Sequence, residues 1–357
     1  MVEYFTKLIS GWHVGLQVAI FVVALALGIF CLVKFCDFFV DSSTVIAKKL
    51  KISPLIIGLT IVAMGTSLPE LAVSVSDSIS TIASGTHANV AIGNVIGSNI
   101  ANILLVLGFS VVFTPIVIKK GVCKRELPML LGVTAIMVLF VCVFGITSVT
   151  GDFAITRWEG IILVVLIIGY ITYLVLMAKK HPEQLEEAEV DVVKDMPWWK
   201  AILLLIVGAV GIILGGQFVV FGAKGLALQG AQALNVNHDL AESLVGLTIV
   251  AVGTSLPELV TSTIAAKKGQ NELALGNVIG SNIFNMLFVL GISATVNPLT
   301  TDSQVLVDVF VMLAVTAMLF VFALSAKLRK AHGFVLLGCY VFYLTYLILR
   351  TVLGWSV

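Results

Sequence analysis

The chain has 357 residues, 59% of them hydrophobic and only 11% charged, with 21 Lys and Arg set against 20 Asp and Glu. Ordinary soluble domains carry about 25% charged residues, so a soluble globular fold and any sizeable soluble domain are excluded. The near-neutral balance, without a basic patch interleaved with aromatics, also excludes a nucleic-acid surface.

A hydrocarbon core is spanned by about 20 apolar residues of helix. Runs of that kind predict ten spans, over 16–40, 53–83, 88–112, 126–147, 157–179, 198–233, 243–267, 272–296, 303–324 and 332–353. The fold class is therefore an all-α polytopic membrane protein, because the runs are continuous and too long for the alternating, roughly ten-residue strands of an outer-membrane barrel. The first span reads as retained, since only Lys7 precedes it and its apolar run outlasts the core of a signal peptide. Loops after spans one, three, five, seven and nine hold sixteen basic residues, from Lys48 to Lys330, whereas the opposite side holds Lys7, Arg157 and Arg350. The positive-inside rule then places the basic side in the cytoplasm of a cell (inner) membrane and both termini outside.

Span two contains "GLTIVAMGTSLPEL", Gly58 to Leu71, and span seven returns "GLTIVAVGTSLPEL", Gly246 to Leu259, identical at thirteen of fourteen positions. Span three contains "AIGNVIGSNIANILLVLG", Ala91 to Gly108, and span eight returns "ALGNVIGSNIFNMLFVLG", Ala274 to Gly291, identical at fourteen of eighteen. The longest polar stretch, "KKHPEQLEEAEVDVVKDMPWWK", divides the chain into a first five-helix repeat at 1–178, a short acidic cytoplasmic linker at 179–200 and a second five-helix repeat at 201–357. The linker lacks EF-hand spacing and reads as a solvated connection. Five crossings start the second copy from the opposite face, so the ten transmembrane helices form two inverted repeats. Many secondary transporters have this design and hold substrate at the midplane, where broken helices from the two halves meet.

The first motif explains such a break. Pro69 has no amide hydrogen and clashes with the carbonyl four residues back, which frees the Gly65 carbonyl, and Pro257 does the same at Gly253. Broken backbone at membrane depth is tolerated where it is buried in protein or lines a polar cavity. Thr66 and Glu70 share one helical face, with Ser67 on its flank, so carbonyl, hydroxyl and carboxylate oxygens gather there. Hard cations take such ligands. A single intramembrane glutamate is open to a protonated, structural role, but Glu70 and Glu258 recur in matched contexts and together match the charge of one divalent ion. Asn94, Ser98 and Asn102 follow at four-residue steps, as do Asn277, Ser281 and Asn285. The pairs Gly93 with Gly97 and Gly276 with Gly280 have the GxxxG spacing that lets helices approach closely. Asp37, Asp41, Asp77 and Asp308 fall toward helix ends, where interfacial solvation is expected. The five cysteines form no CxxC pair and the five histidines no HExxH, so packing roles are expected and no zinc site, disulfide framework or cofactor.

The pairing of "GTSLPE" with "GNVIGSNI" in both halves resembles the sodium/calcium exchanger branch of the Ca²⁺/cation antiporter superfamily, across nearly the whole chain. The resemblance implies a secondary antiporter, not an enzyme, exchanging Na⁺ for Ca²⁺ by alternating access. It implies Ca²⁺ between Glu70 and Glu258 with the carbonyls of Thr66 and Thr254. Sodium would use Ala63, Ser67 and Ser98 with Ala251, Ser255 and Ser281, and Asn102 and Asn285 would face one another at the centre. Spans one and six would slide as a pair against the other helices. The short linker leaves no room for the regulatory region of large animal exchangers. A proton-driven or magnesium-selective antiporter would use the same glutamates. An intramembrane enzyme is more distant, because it needs an asymmetric set such as Ser with a His or Lys base. Ca²⁺ and Na⁺ are expected as substrates and the bilayer as surroundings, with no obligatory protein partner.

Overall fold

The computed structural model describes residues 11–84, 90–141, 153–180, 196–233, 251–301 and 304–353. Helix α1 is Val14–Leu50, and its C-cap Lys51 takes a left-handed conformation with φ 56°. Helix α2, Pro54–Thr66, meets α3, Leu68–Ser84, at a sharp bend. The start of α2 follows from its sequence: the Ser53 side chain accepts from the Ile56 amide and Pro54 occupies the first turn. Next come α4 (Ala91–Phe113), β1 (Ile116–Val117), α5 (Leu127–Leu139), β2 (Phe153–Ile155) and α6 (Arg157–Lys180). The second half holds α7 (Trp198–Ala233), α8 (Ala251–Thr254), α9 (Leu256–Lys267), α10 (Asn271–Val296), β3 (Leu299–Thr301), α11 (Gln304–Ala323), β4 (Lys327–Leu328) and α12 (Lys330–Leu353).

Seven described helices are long and apolar enough to cross a membrane, and the bent pair of α2 and α3 makes eight. The other two expected spans, 126–147 and 243–267, run into residues outside those described, as does most of the linker. The repeated motifs lie at the centre. The most apolar stretches of α10 and α4 are 94% and 78% buried, against 22% for those of α1, α6 and α12, which face outward.

Small residues set the close contacts. A Cβ on Gly276 would fall 2.6 Å from the Leu55 carbonyl oxygen, so α10 and α2 touch backbone to backbone; the counterpart of Gly58, Gly246, lies outside the described residues. Helices α1 and α7 pack along their lengths in the same way, with Gly28 against Val219 and Gly215 against Leu32. Their outward faces carry exposed Val22, Val23 and Phe30 on α1 and Ile206 and Val210 on α7, a surface suited to lipid. Two contacts between the halves match by position: Gly333 of α12 sits on Gly108 of α4, and Gly160 of α6 on Gly291 of α10.

Three local features depart from a simple helical reading. Wide π-type turns occupy Gly58–Val62, Val122–Glu126, Asn102–Leu107 and Asn285–Val289. Short antiparallel ladders pair β1 with β4 and β2 with β3, with Ile116 opposite Leu328 and Ala154 opposite Thr300. Asp308 is also not solvated as its place near a helix end suggested. It is buried, accepts from the Tyr343 hydroxyl at 3.1 Å and pairs with Arg350 at 3.2 Å. Asp37 and Asp41 keep more than a third of their side-chain surface exposed and also meet Lys268, at 3.0 and 2.7 Å.

Candidate functional site

Both proline-bearing motifs break their helices at the same residue. Ser67 separates α2 from α3 with φ −83° and ψ 4°, and Ser255 separates α8 from α9 with φ −87° and ψ 2°. This sparsely occupied backbone region recurs at functional sites. The first bend is 47°. It turns the Thr66 and Ser67 side chains toward the second half. The Thr66 hydroxyl lies 3.1 Å from Asn277 Oδ1 and 3.3 Å from Ser281 Oγ, and Ser67 Oγ donates to Glu258 Oε1 at 3.3 Å. Thr66 and Ser67 therefore meet Glu258, Asn277 and Ser281 across the interface between halves.

Glu70 and Glu258 are both 0% exposed. Ala63, Thr66, Ser67, Ser98, Asn102, Thr254, Ser255, Ser281 and Asn285 are buried too, and Ala251 lies in the helical segment α8 that ends at Thr254. Matched amides brace the wall behind each glutamate: Asn94 Nδ2 donates to Ser74 Oγ at 3.0 Å, and Asn277 Nδ2 to Ser262 Oγ at 2.9 Å. Asn94 also reaches the Glu70 carbonyl at 3.3 Å. At the centre, Asn285 Nδ2 donates to Asn99 Oδ1 at 3.2 Å and Asn99 Nδ2 to the Asn282 carbonyl at 3.4 Å. Asn285 thus bonds Asn99, not Asn102.

The wide turns start at Asn102 and Asn285, the same residue of each repeat. Such bulges gather at functional sites because they offset side chains from the regular ladder. Asn99, Asn282, Ser74 and Ser262 join the site only in the folded chain. Their signal is in the sequence: Asn99 and Asn282 lie within the repeated "GSNI", and each serine stands four residues after a motif glutamate.

Many oxygens here lack a donor. Both carboxylate oxygens of Glu70, Oε2 of Glu258, Ser255 Oγ, Asn285 Oδ1, and both the amide oxygen and the amide nitrogen of Asn102 and of Asn282 are buried without a hydrogen bond. Each such group costs about 1–3 kcal/mol unless something else satisfies it. No group of three or more His, Cys, Asp or Glu side chains gathers among the described residues. The donor set is thus two carboxylates with neutral oxygens, the chemistry of Na⁺ and Ca²⁺ more than of zinc or copper.

This fold and site define a multi-span helical membrane protein with a buried, oxygen-rich centre built from both halves. Residues 20–177 and 200–349 match the family model described as sodium/calcium exchanger protein, and the chain belongs to that family. Its relatives include the sodium/calcium exchanger MaX1 of Methanosarcina acetivorans, 32% identical over 90% of this chain and 97% of that protein. The inner membrane protein YrbG of Escherichia coli is 34% identical over 77% of this chain and 79% of its own length. Among solved structures, the sodium/calcium exchanger of Methanococcus jannaschii is similar with a TM-score of 0.74 and 30% identity, over 92% of this chain and 98% of that one. The family is one of ion exchangers, not of enzymes.

Proposed function

We propose that the protein is a secondary antiporter that exchanges Na⁺ for Ca²⁺ by alternating access. The cluster of buried, donor-free oxygens around Glu70 and Glu258 carries this reading. Burial strips water from a cation, so the site must return oxygen ligands and charge. Glu70 and Glu258 neutralise one Ca²⁺, and the carbonyls of Thr66 and Thr254, beside the breaks at Ser67 and Ser255, contribute to its shell. Sodium occupies the flanks, at Ala63, Ser67 and Ser98 and at Ala251, Ser255 and Ser281, and shares the same carboxylates. Because Na⁺ and Ca²⁺ compete for one set of charges, loading one expels the other. Asn102 and Asn285 offer neutral amide oxygens at the centre.

The layout supports this reading. Matched helix breaks, matched wide turns and the crossed strand pairs fit ten helices in two inverted repeats, 1–178 and 201–357, joined by the linker. The glycine-packed pair α1 and α7 forms the mobile unit, and its motion exposes the centre to each side in turn. The names of MaX1 and of the Methanococcus jannaschii protein agree with exchange of sodium for calcium.

The test is calcium uptake into proteoliposomes under separate outward gradients of sodium, protons or magnesium. A sodium gradient alone drives uptake on this reading. Uptake that follows only a proton gradient, or only magnesium exchange, overturns it.

A further inference from the structure

A second concave feature lies away from the central oxygens. It is an apolar crevice of about 850 Å³ between α1, α2, α6 and α7, within the roughly 300–1,000 Å³ typical of small-ligand sites. Its walls include Phe39, Ile56, Met64 and Val175. Met64, Val175 and the neighbouring Ile206 are exposed and apolar, so the crevice opens sideways where a bilayer lies, not toward water.

Its mouth is basic. Lys51 and Lys179 line it, at the ends of α1 and α6, and neither pairs with a carboxylate among the described residues. Lys51 stands at φ 56°, a position where glycine is favoured, so a charged side chain occupies a backbone site that does not suit it. Lys48 and Lys49 add charge in the preceding turn. An apolar slot at membrane depth lined by two lysines matches one kind of molecule in chemistry and shape. We propose that this crevice binds an anionic phospholipid, its acyl chain against Ile56, Met64 and Val175 and its phosphate between Lys51 and Lys179.

The site touches working parts of the molecule. Gly65 and Met64 form its wall one residue before Thr66, and a Cβ on Gly65 would meet the Phe39 ring of α1 at 3.1 Å. A bound lipid therefore contacts both α1 and the segment that carries Thr66 and Ser67. The inference rests on the crevice and its lysines, and it stands whichever cation the centre carries.

Phosphatidylglycerol with a photoreactive acyl chain tests it, using full-length protein in phosphatidylcholine vesicles doped with the probe. Labelling is expected on peptides 52–65 and 171–179, displaced by excess phosphatidylglycerol but not by phosphatidylcholine. Lys51→Gln with Lys179→Gln lowers that preference by roughly thirtyfold, as two lysines at an anionic surface imply. Val175→Trp, which fills the crevice and leaves both lysines, removes the label from 52–65. Lys327→Gln with Lys330→Gln, two basic residues outside the crevice, leaves it unchanged. Equal labelling by phosphatidylcholine, or an equal loss in the control pair, shows general surface attraction and overturns the proposal.

Discussion

Glu258 Oε1 has a donor in Ser67, while Oε2 and both oxygens of Glu70 have none, so three of the four carboxylate oxygens have no hydrogen bond to satisfy them. Removing one charge from a desolvated divalent site leaves the ion underneutralised, a loss of about 3 kcal/mol or more, or roughly a hundredfold. Glu70→Gln and Glu258→Gln should each lower calcium exchange by at least that factor while the protein still inserts and elutes as a single species. Substantial exchange in both variants would make the glutamates structural. Ser67→Ala removes only a hydroxyl and one hydrogen bond, and should cost about fivefold. The carboxylates were legible in sequence because charge in an apolar run demands a reason. Asn99 recurs in the second half as Asn282, but a repeated amide does not say what it bonds, and its value appears only where Asn285 crosses it.

The helix breaks were legible too, since proline acts through local covalent geometry at Pro69 and Pro257. The wide turns and the strand ladders were not. They depend on what each segment meets across the fold, as Gly276 meets Leu55. Gly276→Ala places a carbon 2.6 Å from that carbonyl, where backbone must move; it should lower stability by about 1–3 kcal/mol. Gly169→Ala, with nothing within 4 Å of its new carbon, should leave the melting temperature unchanged or slightly raised. Detergent-solubilised thermal melts distinguish the two. Lys268 is an element-scale clamp, tying α9 to α1 through Asp41 and Asp37. Burial alone would lower its ammonium, but the two aspartates outweigh that and hold it above its ordinary value. Because the folded value is raised, the clamp's contribution is complete at neutral pH and fades as pH climbs through that value. The melting difference between wild type and Lys268→Met should therefore hold steady around neutrality and shrink in alkali. A difference that instead grows in alkali would contradict the assignment.

At the scale of the molecule, the duplicated strings and the lysine asymmetry made the membrane class and the family readable before any coordinates. The crossed contacts between halves were not, because sequence identity marks equivalent residues without saying which of them touch. Sixteen basic residues on one side predict that tags before Tyr4 and after Val357 are both reached from outside sealed cells; protection of both would reverse the orientation. The central claim is that the two halves jointly hold one calcium ion in competition with sodium. Calorimetric titration of calcium into purified protein tests it most directly. The account predicts one ion per chain, weakened steadily by added sodium and lost in the Glu70→Gln, Glu258→Gln double variant; binding that survives in that variant, or that ignores sodium, would contradict it.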